Sequence, residues 1–152
     1  MKRGKVHDYL GMDLDYSEDG VLKVSMIKYL DKVLEEFTED IQSTSATPAT
    51  DHLFQIREET EAKYLPEEQA VVFHHTVAHL LFMSARARRD TQTAVAFLTT
   101  RVKKPDEDDW GKLKRLLSYL KGIRNLKLTL SVDSMSIIKW WVDASYNTHD
   151  DC

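Results

Sequence analysis

Apolar and polar positions alternate near the start of the chain. Tyr9-Leu10-Gly11-Met12-Asp13-Leu14-Asp15-Tyr16 has the two-residue period of a strand. Ser17-Glu18-Asp19-Gly20 supplies turn chemistry ending in an Asp-Gly pair, and Val21-Leu22-Lys23-Val24 reads as the returning strand. The period then becomes helical. Ile27, Leu30, Val33, Leu34 and Phe37 share one face, and Ser25 is placed to cap that helix. From Thr38 to Thr60 no period survives; Ser43-Thr44-Ser45-Ala46-Thr47-Pro48-Ala49-Thr50 reads as a linker or long loop.

Pro66, followed by Glu67 and Glu68, suits a helix start. Ala70, Phe73, Val77, Leu80 and Leu81 form the stripe of that helix. A basic break, Arg86-Ala87-Arg88-Arg89, precedes a third helix carrying Ala94, Val95, Phe97 and Leu98, with Asp90 or Thr91 as its cap. Pro105-Asp106 opens a fourth, with Trp110, Leu113, Leu116, Leu117 and Leu120 on one face and Gly122 as its stop. Leu126, Leu128 and Leu130 alternate as a strand, and Ile137-Ile138-Lys139-Trp140-Trp141-Val142 reads as a second one running into Asp143. The expected fold is α+β: an N-terminal β-hairpin, a helical middle of about four helices, and a C-terminal strand pair.

At 152 residues the chain suits one domain with a modest core. With 42% apolar and 30% charged residues, it has the composition of a soluble globular protein. No apolar run is long enough for a transmembrane helix, and the basic start Met1-Lys2-Arg3-Gly4-Lys5 has no apolar stretch after it. The single cysteine, Cys152, excludes an intrachain disulfide. These features predict an intracellular protein, cytoplasmic or nuclear, with no membrane partner. The net charge of −4 conceals a division: 16 acidic against 5 basic residues over 8–68, and 11 basic against 5 acidic over 84–124. A cationic block of this kind is a candidate nucleic-acid face, although on charge alone solvated helix surfaces are the stronger reading.

Candidate chemistry is sparse. His75 and His79 lie four apart on a predicted helix and could share a metal, but the intervening residues lack a glutamate base and nothing nearby completes a ligand set. No Gly-x-Ser-x-Gly elbow and no phosphate-binding glycine loop occurs. Asp143, at the end of an apolar strand, is placed as a metal ligand would be. One carboxylate does not hold two divalent ions, so a strand-end turn cap is the stronger structural reading.

The segments in order resemble the C-terminal part of a copia-type reverse transcriptase running into its ribonuclease H domain. Tyr9-Leu10-Gly11-Met12 looks like the family's Phe/Tyr-Leu-Gly hairpin, and Ser25 to Phe37 looks like its Ser-Gln-x-x-Tyr-x-x-x-Leu-Leu-x-x-Phe helix. Thr47-Pro48 falls at a family Thr-Pro. Phe73 to Phe82 resembles Tyr-Arg-x-x-Val-Gly-x-Leu-Leu-Tyr, and Arg88 to Val95 resembles Thr-Arg-Pro-Asp-x-x-x-Ala-Val. Trp110-Gly111-Lys112-Leu113-Lys114-Arg115-Leu116-Leu117-Ser118-Tyr119-Leu120-Lys121-Gly122 is similar to Trp-x-x-x-Lys-Arg-x-Leu-x-Tyr-Leu-Lys-Gly nearly residue for residue. Val142-Asp143-Ala144-Ser145-Tyr146 resembles Ser-Asp-Ala-Asp-Trp. Ala78 in place of glycine, Arg89 of proline, His74 of arginine, and Ser145-Tyr146 of Asp-Trp are departures that mark a diverged copy.

The resemblance implies a primer-grip hairpin over 1–25 and a thumb or connection region over 26–125, with a linker near 38–60. It also implies the start of a ribonuclease H domain over 126–152. Nucleic-acid contacts then fall to Tyr9, Leu10, Gly11 and Met12 and to Arg86, Arg88, Lys112, Lys114, Arg115 and Lys121. Asp143 matches the first metal-binding carboxylate of the ribonuclease H site. The parent family uses Mg²⁺; this chain alone is expected to hold none stably, since the Tyr-x-Asp-Asp turn and the remaining ribonuclease H carboxylates are not in it. Expected partners are an RNA–DNA hybrid, bound weakly, and the rest of the Pol polyprotein. Hairpin and C-terminal strands separated from their sheets predict an ordered helical middle, Pro66 to Gly122, with loosely attached ends. The alternatives are an inert relic of a degenerate element and a small helical metal protein using His75 and His79.

Overall fold

A computed structural model of the chain describes residues 4–134, 136–138, 140 and 142. Three short strands open it: β1 (Val6–Tyr9), β2 (Met12–Asp15) and β3 (Val21–Ser25). The expected single strand from Tyr9 to Tyr16 is broken at its second residue. Leu10 and Gly11 adopt φ of 52° and 76°, the paired left-handed conformation of a two-residue hairpin turn, and Tyr9 faces Met12 across it. Alternation alone missed this turn because leucine rarely accepts positive φ.

Four helices follow: α1 (Ile27–Glu36), α2 (Glu67–Arg86), α3 (Gln92–Arg101) and α4 (Glu107–Gly122), with a single 3-10 turn, Arg89–Thr91, before α3. The caps differ from expectation at two helices. Ser25 ends β3 and Met26 takes the N-cap of α1 without a side-chain bond. Thr91 stands before α3, but its hydroxyl donates back to Arg88 O instead of capping. The cap of α4 is complete. Asp106 accepts from the amides of Asp108 and Asp109, and the Asp109 carboxylate accepts from the Asp106 amide in return.

The apolar stripes meet in one core. Leu30 and Val33 of α1, Phe73, Val77, Leu80 and Met83 of α2, and Ala94, Val95 and Leu98 of α3 are buried there with Leu113, Leu116, Leu117 and Leu120 of α4. Each such leucine contributes about 1.5–3 kcal/mol through removal from water. Leu81, counted in the stripe of α2 by spacing, is half exposed, and Met83 replaces it in the core.

The strand β4 (Leu128–Ser131) returns to pair antiparallel with β3, giving a sheet in the order β1-β2-β3-β4. Leu128 faces Val24, and both join the core cluster with Met12, Leu14 and Leu22. The sheet thus binds the two ends of the described chain to one another and to the helices. Loosely attached ends are the expectation; as far as β4 the ends are instead paired in one open four-stranded antiparallel sheet. The α+β class stands. Of the second expected C-terminal strand, Ile137, Ile138, Trp140 and Val142 are described; they are exposed and in no strand.

Candidate functional site

The candidate residues divide between the tip of the sheet and α4. At the tip, Tyr9 and Leu10 are 59% and 58% exposed on the tight turn, with Gly11 also exposed and Met12 partly packed on the core. A rigid two-residue turn carrying an aromatic and an aliphatic side chain into solvent is suited to apolar or stacking contact with a flat partner. Gly11 approaches the Tyr29 ring of α1, which positions the turn over the helices.

The cations of α4 have a different setting. The segment from Phe37 to Leu65 is not a free spacer. It runs toward the C-terminal end of α4 and then back along it, bonded side chain by side chain. Glu39 accepts from Trp110 Nε1 at 2.7 Å and from Lys114 Nζ at 2.5 Å. Those two bonds, the lysine's first, hold the Glu39 carboxyl below its ordinary pKa. Lys121 Nζ donates to Ile41 O, Arg115 to Thr47 Oγ1 at 2.9 Å, and Lys112 to Gln55 O at 2.6 Å. Lys112 also pairs with Asp108 at 2.9 Å and lies over the Phe97 ring. Nearer the start of α4, Lys104 pairs with Glu59 and the Glu107 amide donates to Lys63 O. Ile41 and Leu53 bury their side chains in the core, and Phe37 stacks on Trp110 with centroids 5.0 Å apart.

Arg88 is 3% exposed. Its Nε and NH2 donate to the two carboxylate oxygens of Asp90 at 3.0 and 2.7 Å, and NH1 reaches Ile123 O at 3.5 Å. Tyr119 OH completes the group, donating to Asp90 Oδ2 at 2.9 Å. The residue that resemblance gave to phosphate therefore joins the end of α2 to α4. Arg86 donates to Phe82 O and lies 3.6 Å from the centroid of that ring. The structure thus brings Lys112, Lys114, Arg115 and Lys121 together on one helix but points them at the chain's own oxygens.

His75 is exposed, while His79 sits 3.7 Å from Glu36 and edge-on to Tyr29. Among the described residues no group of three or more His, Cys, Asp or Glu is arranged to hold a metal, and no helix is long and apolar enough to cross a membrane. Asp143, to which the resemblance assigns Mg²⁺, lies outside the described residues. A shallow hollow of 390 Å³ among Tyr16, Gly20, Leu22, Leu130 and Val132 contains none of the candidate residues.

Sequence reasoning missed Glu39, Asp90 and the Asp106–Asp109 cap as partners. The cap had a local signal, an acid three residues after an Asp at a helix start. Glu39 had none, because its partners are more than seventy positions away.

No family model matches the chain, and no solved structure matches it. Among curated proteins it is similar to the "Putative transposon Ty5-1 protein" of Saccharomyces cerevisiae, at 26% identity over 150 residues. The similarity covers 97% of this chain and 47% of that protein, so the chain spans about half the length of this relative. It supports a retrotransposon-related origin.

Proposed function

We propose that the chain is the connecting part of a copia-type Pol polyprotein, between the polymerase and ribonuclease H centres. In this reading it contacts primer-template nucleic acid and does not catalyse alone. The observation that carries the reading is a likeness to a transposon protein that runs through 97% of the chain. The order of the family-like motifs agrees with it, and the exposed Tyr9–Leu10 turn supports the grip role.

Polymer synthesis and hybrid cleavage need clustered carboxylates holding divalent ions at the reacting phosphate. The residues named for contact here bind and orient only. Titration of a labelled RNA–DNA hybrid at low salt tests the reading. Weak binding that declines steeply as salt is added is expected. No binding at low salt would refute it, and metal-dependent primer extension by the pure chain would refute the non-catalytic part.

One observation favours a second reading, an inert relic. The α4 cations already hold partners within the chain, leaving less unpaired positive charge for phosphates. The same titration separates the two.

A further inference from the structure

The stretch between Ile41 and Leu53 is fixed at its two ends and little held between them. Ile41 and Leu53 are buried, yet no residue from 42 to 52 is. Three contacts tie this arc to α4. The Ser43 and Ser118 hydroxyls lie 3.5 Å apart, and Thr47 accepts one bond from Arg115. Thr44 lies against Gly122, so closely that an added Cβ there would meet it at 3.1 Å.

Beneath the arc, Arg115 is incompletely paired. Its Nε is buried and has no acceptor among the described residues, while its NH2 meets a single neutral hydroxyl oxygen. Lys121 likewise donates to a neutral carbonyl, Ile41 O, at the hinge of the arc. Lys114 and Lys112, in contrast, face the carboxylates of Glu39 and Asp108. Two of the four cations thus lack a charged partner among the described residues. A guanidinium edge with two donors matches a pair of anionic oxygens far better than one hydroxyl.

We propose that the 42–52 arc is a displaceable flap over a phosphodiester site at Arg115. A backbone phosphate takes the place of the Thr47 hydroxyl and satisfies Nε as well. This inference rests on the nucleic-acid reading above and adds where the phosphate binds and what covers it. Ile41 and Leu53 stay in the core when the arc lifts, and Ala49, partly buried against the core, is the apolar side chain of the arc that has to leave it.

Hydrogen exchange of the 42–52 amides, measured on the full chain with and without a short RNA–DNA hybrid, tests the flap. Exchange in the arc is expected to rise when hybrid is bound. Thr47→Val removes the competing oxygen from the exposed arc without touching α4, and is expected to tighten hybrid binding by roughly threefold. Arg115→Gln is expected to weaken it by roughly tenfold. Hybrid binding with unchanged arc exchange and an unchanged Thr47→Val affinity would overturn the flap while leaving the nucleic-acid reading intact. Absence of any hybrid binding would overturn both. Inorganic phosphate at equal phosphate concentration is the control: release of the arc by phosphate as well as hybrid would refute the nucleic-acid backbone as the specific ligand.

Discussion

Replacing Asp90 by asparagine removes the only carboxylate that faces the Arg88 guanidinium among the described residues. Arg88 is 3% exposed, and both oxygens of Asp90 accept its paired donors. Breaking a buried pair by neutralising one partner costs roughly 3–5 kcal/mol, because the remaining charge stays desolvated. Asp90 is about a quarter exposed, so water reaches the pair from one side. The remaining Arg88 contact, Ile123 O, is long at 3.5 Å, and the nearby Tyr119 ring is 5.8 Å away. The lower end of the range applies, about 3 kcal/mol. For a chain of this size that corresponds to a fall in Tm of roughly 6–12 °C. Urea unfolding followed by circular dichroism measures it. A loss below about 1 kcal/mol would refute the argument, since it would put the pair with ordinary surface salt bridges. Replacing both residues, Arg88→Met with Asp90→Leu, should destabilise less than Asp90→Asn alone, because no buried charge is left unpaired.

The same pair sets an acid dependence. Burial on its own raises the Asp90 pKa, but the Arg88 fork and the Tyr119 hydroxyl outweigh it, and the net direction is down. A depressed carboxylate contributes stability above its ordinary pKa near ~4 and loses it as pH falls through the folded value. Wild type should therefore lose more stability than Asp90→Asn between about pH 5 and about pH 2. Equal acid dependence in the two proteins would contradict the assignment.

Two further outcomes are expected. Asp106→Ala removes the oxygen that accepts the Asp108 and Asp109 amides, each at 2.9 Å, and should cost about 1–2 kcal/mol in urea melts, an unchanged midpoint being the contrary result. Leu10→Asn relieves a non-glycine residue at φ 52° and should stabilise the fold by about 1 kcal/mol while weakening hybrid binding through loss of the exposed side chain; lower stability in the variant would show that no strain resides there.

The helices were legible in the sequence because burial repeats locally at 3.6 residues. The stripes of α3 and α4 went into the core without change, and α1 kept Leu30, Val33 and Phe37. Strand runs are shorter, and their partners are distant in the chain. Alternation from Tyr9 to Tyr16 therefore hid the turn at Leu10–Gly11, and nothing local announced that Leu128 would face Val24. The motif Trp110 to Gly122 was visible as a pattern, but not as a contact surface.

What the sequence determined by itself was the α+β class, the number of the helices with most of their buried positions, and the resemblance of their order to a retroelement protein. Tertiary structure alone decided where the charges point. A lysine or arginine on a helix reads the same whether it faces water, phosphate or a carboxylate on another segment. That choice depends on which loop folds across the helix. Here the segment after Phe37 brings Glu39, Ile41, Thr47 and Gln55 onto α4, and most of the cationic block is answered from within. The partners lie 57–80 residues apart in the chain, beyond the reach of any local pattern.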